Sequence, residues 1–409
     1  MSSAYLLDWL SMAFRWLHVL AAIAWIGSSL KYVWVDNNLR KPPQWKADKG
    51  IKGDVWVIHG GGIYEFQKYE LAPERMPEVL HWVKWESYTT WLSGFLLVSV
   101  IYYSQASTYL MPVDGVFTAS WQAVVAGIGF LASTLLIYEI LIRTPIVTKG
   151  AIFAVVMSLV FLGLSYIAFQ LFSPRAAALH VGAAIGTIMS GNVFFGIVPA
   201  QKAFMRAIES GQQPNAATAA FAKQRSLHNN YFTLAVVLLM ISNHYPIVYS
   251  HELGWVLIVA IGVLSAYIRH FFNLKNQGVT KPQILVIAGA LIVALVVLAA
   301  PKSNLEATSV DSSFDRSVDS SVESSVALNE NPAMAIVNTH CSGCHAVQPS
   351  NPAFAAPPAG IVIENESHVR ALADRIRSVS VDSKYMPLGN LTGMTQEERD
   401  TLGQWLESY

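Results

Sequence analysis

The chain has 409 residues, of which 53% are hydrophobic and 13% charged, against about 25% charged in a soluble domain. Twenty-seven basic residues balance twenty-seven acidic ones, which excludes nucleic acid or any partner won by net charge, and the deficit of charge points to a lipid bilayer as the solvent. There are two cysteines, Cys341 and Cys344, within one short stretch, so no disulfide framework is implied.

Eight segments approach the roughly 20 apolar residues that a helix needs to cross a hydrocarbon core. They fall near 9–34, 88–103, 120–142, 151–172, 176–198, 231–249, 253–270 and 282–300. The first is too long for the core of a signal peptide and lacks a preceding basic residue, so it reads as a retained anchor. The second is short and is expected to extend back towards Trp82.

Basic residues alternate between loops. Arg40, Lys41, Lys46, Lys49, Lys52, Lys68, Arg75 and Lys84 separate the first two segments, whereas only Arg175 follows the fourth. Lys202, Arg206, Lys223 and Arg225 follow the fifth, and Arg269, Lys275 and Lys281 the seventh. The positive-inside rule then puts both termini outside.

"HVLAAIAWIGS" from His18 and "HVGAAIGTIMS" from His180 share seven of eleven residues. The match predicts two four-helix halves related as a parallel repeat. It also predicts that His18 and His180 lie at similar depths near the outer leaflet. An ionisable side chain within a bilayer is a functional candidate, and three readings stay open: packing histidines, axial ligands of a haem b between the halves, or acid and base at a substrate pocket. Arg15, one turn before His18, is placed to hold an anion or to reach the headgroups. Glu139 and Arg143 read as an ion pair on one helix face.

In "VWVIHGGGIYEFQKYELAPERMPEVLHWVKWESYTTWLSG" the glycines after His59 suit a tight loop or an oxyanion-binding backbone. Lys84 and Glu86 lie among aromatics at the membrane entrance and are candidate catalytic residues beside Arg15, His18 and His180.

After residue 300 the composition changes. Residues 301–330 form a Ser- and Asp-rich tract that reads as a disordered acidic linker, with a reach of about 30 Å. Residues 331–409 contain "CSGCH". Two thiols at this spacing can form thioethers to a porphyrin while the adjacent His345 supplies an axial nitrogen. Met386, before Pro387, is the favoured sixth ligand over Met394. Thr395 with Glu398 forms a capping-box pattern opening a terminal helix. This part resembles a class I cytochrome c. The resemblance implies one covalent haem c, with a Pro carbonyl, Pro357 or Pro358, orienting His345. A zinc site using His340 is the alternative.

"RWLHVLAAIAWIGSSLKYVWVDNNL", "HGGGIYEFQKYELAP", "KWESYTTWLSG" and "SLHNNYFTLAVVLLMISNHYP" resemble the urate oxidase N-terminal domain family. That resemblance implies an all-α fold, an eight-helix transmembrane catalytic domain over 1–300, in a bacterial cell membrane. It further implies oxidation of urate to 5-hydroxyisourate in purine breakdown, with electrons passing to haem c and on to a soluble cytochrome or terminal oxidase. The residues alone leave two other readings, a quinol-to-cytochrome relay and a purine permease with an accessory cytochrome.

Overall fold

The computed structural model describes residues 3–112, 115–249, 251–300, 331–351, 357–358 and 361–409. The expected linker, 301–330, lies outside them. The fold is all-α apart from one hairpin, and every segment expected to cross the membrane is helical.

The helices are α1 (Ser3–Asn38), α2 (Trp85–Val98, prolonged by a π-helical stretch Ser99–Tyr103), α3 (Ser120–Leu141) and α4 (Gly150–Leu171). They continue with α5 (Pro174–Gly191), α6 (Ala216–Ile241), α7 (Gly254–Asn276) and α8 (Gln283–Leu298). A π-helical stretch Asn192–Ile197 and the helix Val198–Glu209 carry α5 onwards. Five of the long helices are apolar enough to cross a membrane by length and composition: α1, α3, α4, α5 with its continuation, and α7. The others are shorter, as α8 is, or carry polar residues along one end, as α6 does. The second span starts at Trp85, extending back towards Trp82 as expected and stopping three residues short of it.

The centre of the bundle is α5. Its most apolar stretch is 72% buried against other helices, whereas that of α1 is 6% buried. The cause is local. Ala176, Ala177, Ala178, Gly182 and Ala184 leave room for neighbouring backbones, and a Cβ on Gly182 would sit 2.9 Å from Leu239 Cβ. Helix α1 lies at the edge, mainly against α2, and exposes Trp9, Met12, Trp16 and Ile23. The two halves suggested by the repeat are therefore not equivalent in their surroundings.

Between α1 and α2 the chain forms an antiparallel hairpin, β1 (Ile51–His59) and β2 (Gly62–Tyr69). Gly60 and Gly61 make its two-residue turn with φ +57° and +80°, the left-handed pair that hairpin turns require. Lys46 is buried beneath the hairpin and pairs with Asp54 and Glu65.

The C-terminal part has a small core of its own, including Ile336, Val337, Ile363, Val369, Met394 and Leu402. It is built on α9 (Pro332–His340) and α10 (Gln396–Leu406). The expected capping box is formed: Thr395 Oγ1 accepts from the Glu398 N–H at 3.2 Å, and the Glu398 carboxylate accepts from the Thr395 N–H at 2.7 Å.

Candidate functional site

The two membrane histidines fall into different neighbourhoods. His18 packs against the middle of α2: its Nδ1 donates to the Thr90 carbonyl at 2.9 Å and lies 3.3 Å from Ser93 Oγ. Gly94 makes room for the ring, since a Cβ there would approach His18 Cε1 to 2.8 Å. His180, on α5, is buried against the far end of α2. Its Nδ1 donates to the Ala176 carbonyl at 2.8 Å, and Tyr103 donates to its Nε2 at 3.1 Å. Phe172 stacks on its ring and Gly127 lies beneath Nε2.

Along α2 their partners Gly94 and Tyr103 are nine residues apart, yet the Tyr103 ring lies 6.4 Å from that of Phe95, which follows Gly94, so the two histidines meet different partners on one helix. Both nitrogens of His180 are already bonded, and the structure does not bring His18 and His180 to one point.

His18 meets α2 one turn beyond the residues of the expected entrance. Thr90, whose carbonyl it binds, donates through Oγ1 to the Glu86 carbonyl at 2.6 Å. Glu86 lies in the first turn of α2, and among the described residues its buried Oε2 has no hydrogen-bond partner. Lys84 precedes that helix, with its ammonium 5.5 Å from the Trp82 ring centre. Arg15 is exposed on α1. His59 is exposed at the hairpin turn, and no atom comes within 4 Å of a Cβ built on Gly60 or Gly61. The glycine run therefore serves the turn.

Beside the entrance a cavity of about 410 Å³ is lined by Trp85, Tyr88, Trp91, Thr187, Ser190 and Phe194, among others. Trp91 Nε1 donates to Thr187 Oγ1 at 3.1 Å, and Trp91 stacks on Phe95 with centroids 5.6 Å apart. The cavity's exposed lining is almost wholly apolar and aromatic, which suits the face of a flat ring.

One polar cluster escaped the sequence reading. Arg225, counted there as a loop cation, is fully buried in α6. That helix begins at Ala216, capped by Asn215, well before the apolar stretch at 231. Arg225 binds both carboxylate oxygens of Glu139 at 2.6 and 2.8 Å and also donates to Asn192 at 3.1 Å. Asn192 donates to Tyr138 and Asn229, and the Tyr138 hydroxyl is bonded to His228 Nδ1 at 2.8 Å. Phe153 stacks on His228. The signal was present in "QRSLHNNY", a polar run leading without a break into an apolar helix. A cationic cluster of this kind, neutralised by Glu139, orders three helices.

In the C-terminal part, Cys341, Cys344 and His345 lie on consecutive turns. His345 Nδ1 donates to the Ile361 carbonyl at 3.0 Å, which leaves Nε2 free to act as a ligand. This corrects the expected Pro357 or Pro358 carbonyl. The segment running past the box is pinned by Ile363 N–H to His345 O at 2.7 Å and by Ser342 Oγ to Ile363 O at 2.9 Å, so Ile361 reaches the ring. Burial pushes the Cys341 thiol up to about 12, so it is held protonated unless it is bonded to carbon. Met394 is in the core at 3% exposed, whereas Met386 is only half-buried. His340 is occupied by Thr392 at 2.7 Å and Glu398 at 3.3 Å, which removes it as an additional zinc ligand. Cys341, Cys344 and the unbonded Nε2 of His345 are the donor types that would hold a covalent porphyrin, with the half-buried Met386 thioether as a further donor.

A family model described as urate oxidase N-terminal matches residues 4–300. No curated protein and no solved structure matches the chain.

Proposed function

The chain belongs to the urate oxidase N-terminal family, and on that premise we propose that it oxidises urate to 5-hydroxyisourate in a membrane, passing electrons to a haem c on its own C-terminal part. The observation that carries this reading is that the family match covers the whole helical bundle, 4–300. The cavity between Trp85, Tyr88 and Trp91 supports it, because a planar purine anion fits between aromatic walls. In this reading Lys84 and Glu86, which flank Trp85 in the chain, supply a cation and a carboxylate whose Oε2 has no hydrogen-bond partner among the described residues, and His18 supplies a ring that takes a proton. Cys341, Cys344, His345 and Met386 would hold the haem, which supplies one-electron redox chemistry when bound. Both termini face the periplasm of a bacterial inner membrane, and a soluble cytochrome or terminal oxidase takes the electrons onward.

The test is anaerobic addition of urate to the oxidised protein while the haem absorption bands are followed. Reduction is expected. Haem that dithionite reduces and urate does not would overturn the reading, and reduction by a quinol analogue instead would favour the quinol relay.

A further inference from the structure

Three tyrosines meet around an arginine where the C-terminal part touches the helical bundle. Tyr385, next to Met386, is 7% exposed, Tyr249 is 3% and Tyr102 is 2%. Arg175 at the start of α5 donates to the Tyr385 hydroxyl at 3.4 Å, and its buried Nε has no hydrogen-bond partner among the described residues. The Tyr249 and Tyr385 rings meet edge to face at 6.1 Å. Tyr102 lies within electrostatic reach of Arg175, Tyr249 and Tyr385. Beside them Gly389 rests directly on the bundle: a Cβ there would lie 2.6 Å from the Ser107 carbonyl oxygen and 3.0 Å from Thr108 Cα.

Behind this seam the aromatic rings continue into the bundle. Tyr103, adjacent to Tyr102, is 5.8 Å from the His180 ring and 6.4 Å from Phe95. Phe95 stacks on Trp91, which lines the cavity. Ring contacts thus run from the cavity wall to Tyr103, and its chain neighbour Tyr102 belongs to the cluster that holds Tyr249 and Tyr385, the residue next to Met386.

We infer that Tyr385 and Gly389 form a docking face that holds the Met386 edge of the C-terminal part on the bundle, and that the rings from Trp91 to Tyr385 are the electron exit. Tyr385 and Arg175 are positioning residues. The inference rests on the proposed function. Urate and one water yield 5-hydroxyisourate, two protons and two electrons. Each passage moves one electron, so two passages separated by reoxidation with an external one-electron acceptor complete a turnover.

Two glycines separate docking from backbone strain. Gly389 and Gly393 both have positive φ, +57° and +70°, but Gly393 faces open space. Gly389→Ala and Gly393→Ala therefore share the cost of a side chain in the left-handed region, and only the first pushes the two parts apart. Gly389→Ala is expected to slow urate-driven haem reduction roughly ten- to a hundredfold, as misplacement by about 1 Å does, while Gly393→Ala stays near wild type. Both should keep the haem spectrum and midpoint potential. Hydrogen exchange at residues 106–110 should rise in Gly389→Ala alone, and Tyr385→Phe should retain more of the rate than Tyr385→Ala. Equal rates and equal exchange in the two glycine variants would overturn the docking. Absence of urate-driven reduction in the wild type would overturn the proposed function instead, and the exchange comparison would still decide the docking.

Discussion

Glu139 binds two arginines that differ in burial. Arg225 is 0% exposed in its side chain and Arg143 is 59% exposed, with Glu139 at 12%. An exposed pair contributes about 0–1 kcal/mol, whereas removing one partner of a buried pair costs about 3–5 kcal/mol because a charge is left without compensation. Glu139→Gln should therefore lower the melting temperature of the detergent-solubilised protein strongly, and Arg143→Ala hardly at all. Equal shifts would show that the outer pair carries the stabilisation. A second contrast is between methionines. Met394→Leu conserves volume in a core and should cost less than about 1.5 kcal/mol, leaving the haem spectrum intact. Met386→Ala should abolish the methionine–iron charge-transfer band and lower the reduction potential. Loss of that band in the Met394 variant would reverse the assignment.

The terminal helix α10 depends on its cap. Hydrogen bonds from Thr395, backbone first, hold the Glu398 carboxyl below the ordinary value of 4.5, with a further bond from His340. A carboxylate whose folded pKa is depressed stabilises the fold fully above its unfolded value and ceases to do so as pH falls through the folded one. The C-terminal part should accordingly lose stability below about pH 4.5. Thr395→Ala should cost about 1 kcal/mol near neutral pH and weaken that acid dependence. Haem-region circular dichroism during thermal melting at a series of pH values measures both, and an unchanged acid slope in Thr395→Ala would contradict the cap's role. The hairpin shows the opposite relation between motif and structure. "HGGG" resembles an anion-binding loop in residue type, yet Gly60 and Gly61 are used up in turning β1 into β2.

For the whole molecule, the number of electrons is decisive. On the proposed function, one haem per chain would accept one electron and each urate would yield two. Without a second redox centre in the bundle, one urate should reduce the haem of two chains in an anaerobic titration. A bundle that stores an electron, as a haem b at His18 and His180 would, needs one urate per chain and shows a second set of absorption bands. For a haem b to bind there, His180 would have to exchange the Tyr103 hydroxyl on Nε2 for iron, while its Nδ1 keeps the bond to the Ala176 carbonyl.

The sequence by itself determined the helical class, the apolar helices of the bundle, the Cys341–Cys344–His345 spacing and the capped terminal helix, because each rests on local periodicity or on fixed spacing along one chain. Family membership was legible for the same reason, in contiguous motifs. Only the tertiary structure decided which helix is central, where Arg225 goes, that His18 sits with Thr90 and Ser93 while His180 sits with Tyr103, and that Ile361 orients His345. Those facts depend on how far one helix slides along another and on contacts between residues up to 90 or more positions apart, such as Trp91 with Thr187, which no local pattern encodes.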